Sequence, residues 1–327
     1  MKPQCGAAQT YAITRARASA LLLGGAAVCL TGTVRAQTGS TIRIGVIPVE
    51  AAAEPFYAQD MGFFAKAGLD ADIQRIPSSP AIAAATVSNA VDVGYASVDS
   101  LAAIHGKNVP VVIIAPAAEY VSVETERTNG LVVPANSSIQ KARDLNGKVF
   151  AVIGLLGITH TVARAWIDEN GGDSSTVKFV EVPTSAMVAA LAAGRIDAAW
   201  VSAPFFSEAE NTGRVLAYGF DAISKHFLAA AWFTTAQWAT DHPEIVSRFA
   251  QAIRETAVWA NKNHAASALS LAKNLKIDPA TVDPTSRVHY GERLEPALIQ
   301  PFIALSAKYS GYATFPAQEL VFALLYR

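Results

Sequence analysis

The stretch ATVSNAVDVGYAS at residues 85–97 is met again as ALAAGRIDAAWVS at residues 190–202. Asp92 falls on Asp197, Tyr95 on Trp200 and Ser97 on Ser202, an offset of 105 residues. Upstream, IQRIPSS at residues 73–79 matches FVEVPTS at 179–185, one residue further apart, and GVIP at 45–48 matches AVIG at 151–154. Three β-like runs separated by helical stretches therefore occur twice in the same order. Solenoid repeats have periods of roughly 20–50 residues, so a repeat this long is one α/β unit used twice. It predicts two lobes with a cleft between them.

Working outward, residues 41–47 read as a strand by their β-branched content. Residues 54–67 read as a helix with Phe56, Tyr57, Phe63 and Phe64 on its apolar face and Gly68 as its stop. Residues 71–76, 91–95 and 109–115 are the next strands. Ser79 is expected to cap the intervening helix, with Pro80 at its first position, where a missing N–H costs nothing. Asn89 and Gly194 stand where each copy's second helix should end in a left-handed residue. In the second copy, residues 148–154, 177–182 and 198–201 supply strands, and 229–235 form a strand crossing back. Strands alternating with helices imply parallel sheets covered on both faces.

From Asp241 onward the chain reads as mostly helical. Asp241 and Glu244 form a capping box, and Ile245, Phe249, Ile253 and Trp259 line one face. This tail has no counterpart in the repeat and is expected to pack onto the first lobe. The expected fold is α/β with two lobes, each a mainly parallel sheet flanked by helices, joined by a two-segment hinge near residues 120–132 and 222–236. Residues 37–128 with 232–327 form the first lobe, and 129–231 the second.

The first 36 residues stand apart. Lys2, Arg15 and Arg17 precede an apolar, small-residue stretch over residues 18–34, and no acid occurs before Glu50. Val34-Arg35-Ala36 suits a signal peptidase, so the segment reads as an export signal cleaved after Ala36, with a periplasmic product. The apolar run is short and rich in Gly and Thr for a membrane anchor, and Val28 is bulky for the position before a lipidated Cys29. Cleavage removes four basic residues, Lys2, Arg15, Arg17 and Arg35, leaving 22 against 27 acidic ones, a net charge of −5. That balance argues against a nucleic-acid partner. Both cysteines, Cys5 and Cys29, lie in the signal, so the mature chain has no disulfide or thiolate chemistry.

Ligands in open α/β sheets bind beyond the carboxyl ends of strands. Here those junctions carry Ser78 and Ser79, Ser97 to Ser100, residues 154–160, and residues 183–185 and 202–204. Hydroxyls and free N–H groups at helix starts make an anion site; each Ser or Thr can equally cap its own helix. In GLLGITH at residues 154–160, Gly157 lets the backbone approach a ligand, Thr159 can donate twice, and His160 is a further donor or a satisfied helix residue. No Lys follows the last glycine, so it is not a P-loop. Tyr95, Trp200, Phe205 and Trp232 form an aromatic wall or pack in the core. Glu54 and Asp99 are the acids nearest the mouth and either cap helices or face an ammonium group. The six histidines are dispersed, which disfavours a metal site, and no activated nucleophile or Gly-x-Ser-x-Gly elbow occurs.

Several segments together resemble a known family. They are IRIG at residues 42–45, PFYAQDMGFF at 55–64, GLD at 68–70, LVVP at 131–134, DLNGK at 144–148, residues 190–200 with Pro204, and HPE at 242–244 with Phe249. The pattern, spanning residues 41–312, is similar to the periplasmic binding proteins for sulfonates, taurine, nitrate and thiamine precursors. The resemblance implies a type II periplasmic binding protein, not an enzyme and without a cofactor, that delivers a small molecule to an ABC importer in the inner membrane and works as a monomer. The family's binding loops carry over as Ser78, Ser79, Ser97 and Asp99 in the first lobe and Gly157, Thr159, His160 and Pro204 in the second. The expected ligand is a small organic anion, a sulfonate or carboxylate. The alternatives are a neutral aromatic or heterocycle, or a sensory module that presents ligand to a receptor.

Overall fold

The computed structural model describes residues 40–122, 128–283 and 286–323. The expected signal segment, with Cys5 and Cys29, lies outside the described residues, as does part of the first predicted crossing.

In chain order the strands are β1 (Ser40–Val46), β2 (Leu69–Arg75), β3 (Val93–Ser97), β4 (Val111–Pro116), β5 (Ala118–Val121), β6 (Asn129–Pro134) and β7 (Val149–Val152). They continue as β8 (Lys178–Glu181), β9 (Ala198–Ser202), β10 (Gly213–Tyr218), β11 (His226–Leu228), β12 (Ala230–Thr235) and β13 (His289–Tyr290). Two five-stranded sheets result, ordered β2-β1-β3-β12-β4 and β8-β7-β9-β6-β10. The repeat seen in the sequence is thus a repeat of topology, slot for slot. Both sheets are mainly parallel, and the exceptions are β12 and β6, each antiparallel to its two neighbours. They are the strands with which the chain enters each sheet after a crossing, so they run against the rest.

The repeated aspartate has one job in both copies. The Asp92 carboxylate accepts the backbone N–H of Arg43 in β1 at 2.8 Å, and that of Asp197 accepts the N–H of Val149 in β7 at 2.8 Å. Each ties the loop before the third strand of its unit to the first strand, β1 or β7. Asp92 also pairs with the Arg43 guanidinium.

The helices are α1 (Glu54–Asp60), α2 (Phe63–Lys66), α3 (Ser79–Val87), α4 (Val98–His105), α5 (Ile158–Glu169), α6 (Thr184–Ala192), α7 (Phe206–Thr212), α8 (Ala236–Asp241), α9 (Pro243–Lys262), α10 (His264–Leu275) and α11 (Pro296–Ser310). The helix expected over residues 54–67 is two, broken at Gly62, whose φ of +76° is left-handed. The N-cap of α3 is Ser78 rather than Ser79, and Pro80 takes the second helical position. The capping box expected at Asp241 is replaced: its carboxylate accepts from the Gln237 amide, and His242 stands at the N-cap of α9. Asn89 and Gly194 terminate α3 and α6 with φ of +58° and +65°, as read from the sequence.

Along α9, Val246, Phe249, Ile253, Ala257 and Ala260 are buried at helical spacing, and the helix packs on α1, α2 and β4 of the first lobe. Burying one such Phe or Ile side chain stabilises by about 1.5–3 kcal/mol. The tail also supplies β13, which joins β5 and β11 in a small sheet at the crossings. No helix among the described residues is long and apolar enough to cross a membrane.

Candidate functional site

The carboxyl ends of β1, β3, β7 and β9 face one another across a cleft, and a cavity of about 90 Å³ lies there. That is room for several waters or one small polyatomic ligand. The first lobe lines it with Val49, Ser79, Tyr95 and Ser97, and the second with Asn129, Gly154, Gly157, Thr159, Ser202 and Phe220. The connecting sheet and the segment before β13 add Glu119, Tyr120, Arg287 and His289. A second chamber, about 350 Å³, shares Ile47, Val49 and Ile153 with the first and is lined by the junctions at Pro77 and residues 183–185, with Phe205 and Ile277.

Two hydroxyls on opposite lobes are oriented alike. Ser79 Oγ accepts the N–H of Ser97 at 3.2 Å, and Thr159 Oγ1 accepts the N–H of Ile153 at 3.2 Å. Each oxygen is thereby turned into an acceptor for the backbone, which leaves its own proton to donate. Ser79 opens α3 and Thr159 lies in the first turn of α5, so both stand where a helix dipole favours negative charge. Tyr95 lines the same cavity, and its pKa is raised by burial and by the nearby Glu54 and Asp99, so its hydroxyl keeps its proton.

Of the residues singled out in the sequence, Ser79, Tyr95, Ser97, Gly157 and Thr159 meet at the cavity; Ser78, Glu54, Asp99, His160 and Pro204 stand elsewhere. Ser78 is at the lobe–lobe contact beside Gly154. Glu54 is fully buried, and its carboxylate accepts from Trp232 Nε1 at 2.7 Å. Burial pushes the Glu54 pKa well above the usual carboxylate range, and the residue is not among those that line the cavity. Asp99 lies between the lobes, accepting from the Thr161 hydroxyl at 2.6 Å. His160 Nδ1 accepts the N–H of Leu156 at 3.1 Å, and its ring packs on Phe179. It braces the loop, and burial with Arg164 nearby lowers its pKa to about 4. Pro204 is set back behind Ala203, which lines the cavity.

The aromatic wall is a foundation. Trp232 is fully buried and meets Tyr95 edge-on at 5.6 Å. Trp200 stacks on Phe220 at 6.2 Å, and its Nε1 donates to Asn129 Oδ1 at 2.9 Å. Both tryptophans are core residues whose partners, Tyr95, Phe220 and Asn129, line the cavity. Phe205 belongs to the second chamber.

The sequence reading missed Arg287 and the connecting-sheet residues. Arg287 Nε donates to Glu50 at 2.5 Å, and its terminal nitrogens donate to the His264 carbonyl and the Tyr57 hydroxyl. Its charge is balanced by a buried acid. A lone Arg in a helix-rich tail carried no signal of this; Glu119 and Tyr120, at the predicted crossing, did have one in their position. Among the described residues no three His, Cys, Asp or Glu side chains gather as a metal site.

Residues 51–266 match the model of the NMT1/THI5-like family. The chain belongs to the NMT1/THI5-like family. Among curated relatives, the taurine-binding periplasmic protein of Escherichia coli (strain K12) is 29% identical over 214 residues. That match covers 63% of this chain and 62% of the relative, less than two thirds of its length. Among solved structures, the alkanesulfonate-binding protein SsuA from Xanthomonas axonopodis pv. citri, bound to MOPS, superimposes with a TM-score of 0.71 at 16% identity, covering 86% of this chain and 98% of that one. The desulfurization enzyme DSZB superimposes with a TM-score of 0.60 at 15% identity over 88% of this chain and 98% of its own. At such identities the likeness is one of fold, and the fold is shared by binding proteins and an enzyme.

Proposed function

We propose that this chain is an extracytoplasmic solute receptor that captures a small organic anion in the interlobe cleft and delivers it to an ABC importer. Residues 37–128 with 232–327 form one lobe and 129–231 the other, and Ser79, Ser97, Gly157 and Thr159 contact the ligand. The observation that carries this reading is the matched pair of hydroxyls, Ser79 and Thr159, each fixed by a backbone N–H and free to donate at a helix start on opposite lobes. An oxyanion between them collects donors from both lobes, so the ligand itself favours closure. The taurine and alkanesulfonate specificities of the relatives agree with this, and export across the inner membrane places the protein in the periplasm.

The same cleft argues for binding rather than turnover. The carboxylate that lines it, Glu119, is spent on a protein partner, His226, at 2.6 Å. The test is calorimetric titration with taurine, short alkanesulfonates and benzenesulfonate, followed by product analysis after long incubation. Charge-assisted hydrogen bonds are worth roughly 1.5–3 kcal/mol, so Thr159→Ala should weaken binding about tenfold or more while Thr159→Ser restores it. Wild-type affinity in Thr159→Ala moves the anion elsewhere, and any released sulfite makes the protein an enzyme.

A further inference from the structure

We propose that Asp99 and Thr161 form a proton-linked latch, in which closure of the cleft takes up a proton at Asp99. The inference rests on the two-lobed receptor reading given above.

Asp99 stands in the first turn of α4, on the first lobe, two residues beyond the cavity residue Ser97. Thr161 stands in α5 of the second lobe, two residues beyond the cavity residue Thr159. The Thr161 hydroxyl donates to Asp99 Oδ2 at 2.6 Å, the N–H of Ser100 approaches Oδ1 at 2.8 Å, and Asp99 is only 1% exposed. Next to this contact Ser100 Oγ donates to the Leu156 carbonyl across the cleft at 2.9 Å. The carboxyl group thus lies at the meeting of the lobes, and separating them removes the Thr161 donor and opens that side of it to water.

Among the described residues no cation compensates it. From α5 the charged or titratable groups are His160, Arg164, Asp168 and Glu169; Arg164 lies over the Tyr309 ring at 4.6 Å and donates to the Tyr309 carbonyl. From α11 they are Lys308 and Tyr309, the former over the Tyr309 ring and the latter donating to Asp168. His105, at the far end of α4, faces Glu319 at 3.7 Å. α3 and β4 contribute no titratable side chain. Tyr95 of β3 and Tyr312 do interact with Asp99, and both are held neutral with raised pKa values. With no counter-charge, burial pushes the Asp99 carboxyl up to about 6, against the hydrogen bonds from Ser97, Thr161 and Ser100 that favour the ionised form.

The sign follows from linkage. A carboxyl raised in the closed state and ordinary in the open state favours closure when protonated; the gain is complete below the ordinary value of 3.8 and lost as pH rises through about 6. Between pH 8 and pH 5 the closed-to-open ratio should rise about tenfold. In the periplasm, acid would then tighten capture and a return towards neutrality would ease release.

The experiment is small-angle scattering of the ligand-free protein between pH 8 and pH 5, with the proton as the only probe. Wild type should compact as pH falls. Asp99→Asn should be compact and insensitive to pH across the range. Thr161→Val removes a donor to the ionised carboxylate, so its compaction should begin at higher pH than in wild type, a check independent of the Asp99 variant. A wild-type radius unchanged over this range, or an Asp99→Asn protein that keeps the wild-type profile, overturns the latch. If compaction follows pH but none of the sulfonates binds, the latch stands and the anion reading fails.

Discussion

Gly154→Ala adds one methyl group at a point where the two lobes touch. A Cβ built on Gly154 lies 2.9 Å from Cβ of Ser78 on the facing lobe, carbon against carbon. Unstrained carbon contacts are about 3.5–4.0 Å, so the closed arrangement must open locally by roughly 0.6–1.1 Å or bend one of the loops. The φ of Gly154 lies outside the left-handed region, so alanine adds no backbone strain and the open lobes are indifferent to it. Overpacking of this kind costs about 1–3 kcal/mol, and here it is charged only to the closed state. The expected result is a loss of roughly 5- to 150-fold in affinity for whichever sulfonate binds wild type, with little change in the melting temperature of the free protein. Ser78→Gly removes the opposing Cβ and should restore most of the affinity when combined with Gly154→Ala. Titration calorimetry of wild type, both single variants and the double variant measures the coupling. Unaltered binding by Gly154→Ala, or a Ser78→Gly change that rescues nothing, refutes the reasoning that the lobes meet here when ligand is held.

Two further outcomes concern stability. Glu54→Gln keeps an acceptor for Trp232 without a buried ionisable group. Because burial raises the Glu54 pKa, wild type loses stability as pH rises above the ordinary value of 4.5, and the melting temperature of Glu54→Gln should gain on wild type between pH 4 and pH 8. A constant difference across that range would show Glu54 ionised at no cost. Arg287→Met leaves Glu50 buried without its partner, a loss of about 3–5 kcal/mol visible in urea unfolding, and Glu50→Gln in the same chain should recover much of it; an equally damaged double variant would point to lost packing instead.

The fold was legible because its evidence was redundant. Asp92 and Asp197 recur at one offset since each makes the same bond to the first strand of its unit, and Asn89 and Gly194 recur since both helices end in a left-handed residue. The candidate site was legible only where it is local. Ser79, Ser97, Gly157 and Thr159 sit at junctions that strand order alone brings to the cleft. Trp200 and Trp232 were ambiguous because an aromatic at a strand end serves a wall or a core equally well, and the hydrogen bonds to Asn129 and Glu54 that decide between them join residues 71 and 178 positions apart. Arg287 was silent for the same reason: its partner Glu50 is 237 positions away.

The slot taken by β12 bears on the order in which the chain can fold. Gly94 of β3 pairs with Phe233 of β12, so the first sheet has a gap between β3 and β4 until a strand from far downstream arrives. The second sheet is drawn entirely from residues 129–218 and contains its own antiparallel strand. Bringing distant strands together requires closing a long loop before any contact rewards it, which slows that step. The lobe synthesised second can therefore complete its sheet first, while β1 to β4, although earlier on the chain, stay unsealed until residues 230–235 insert. The topology itself keeps the chain open, because the strands that emerge first are the ones that wait longest for a neighbour.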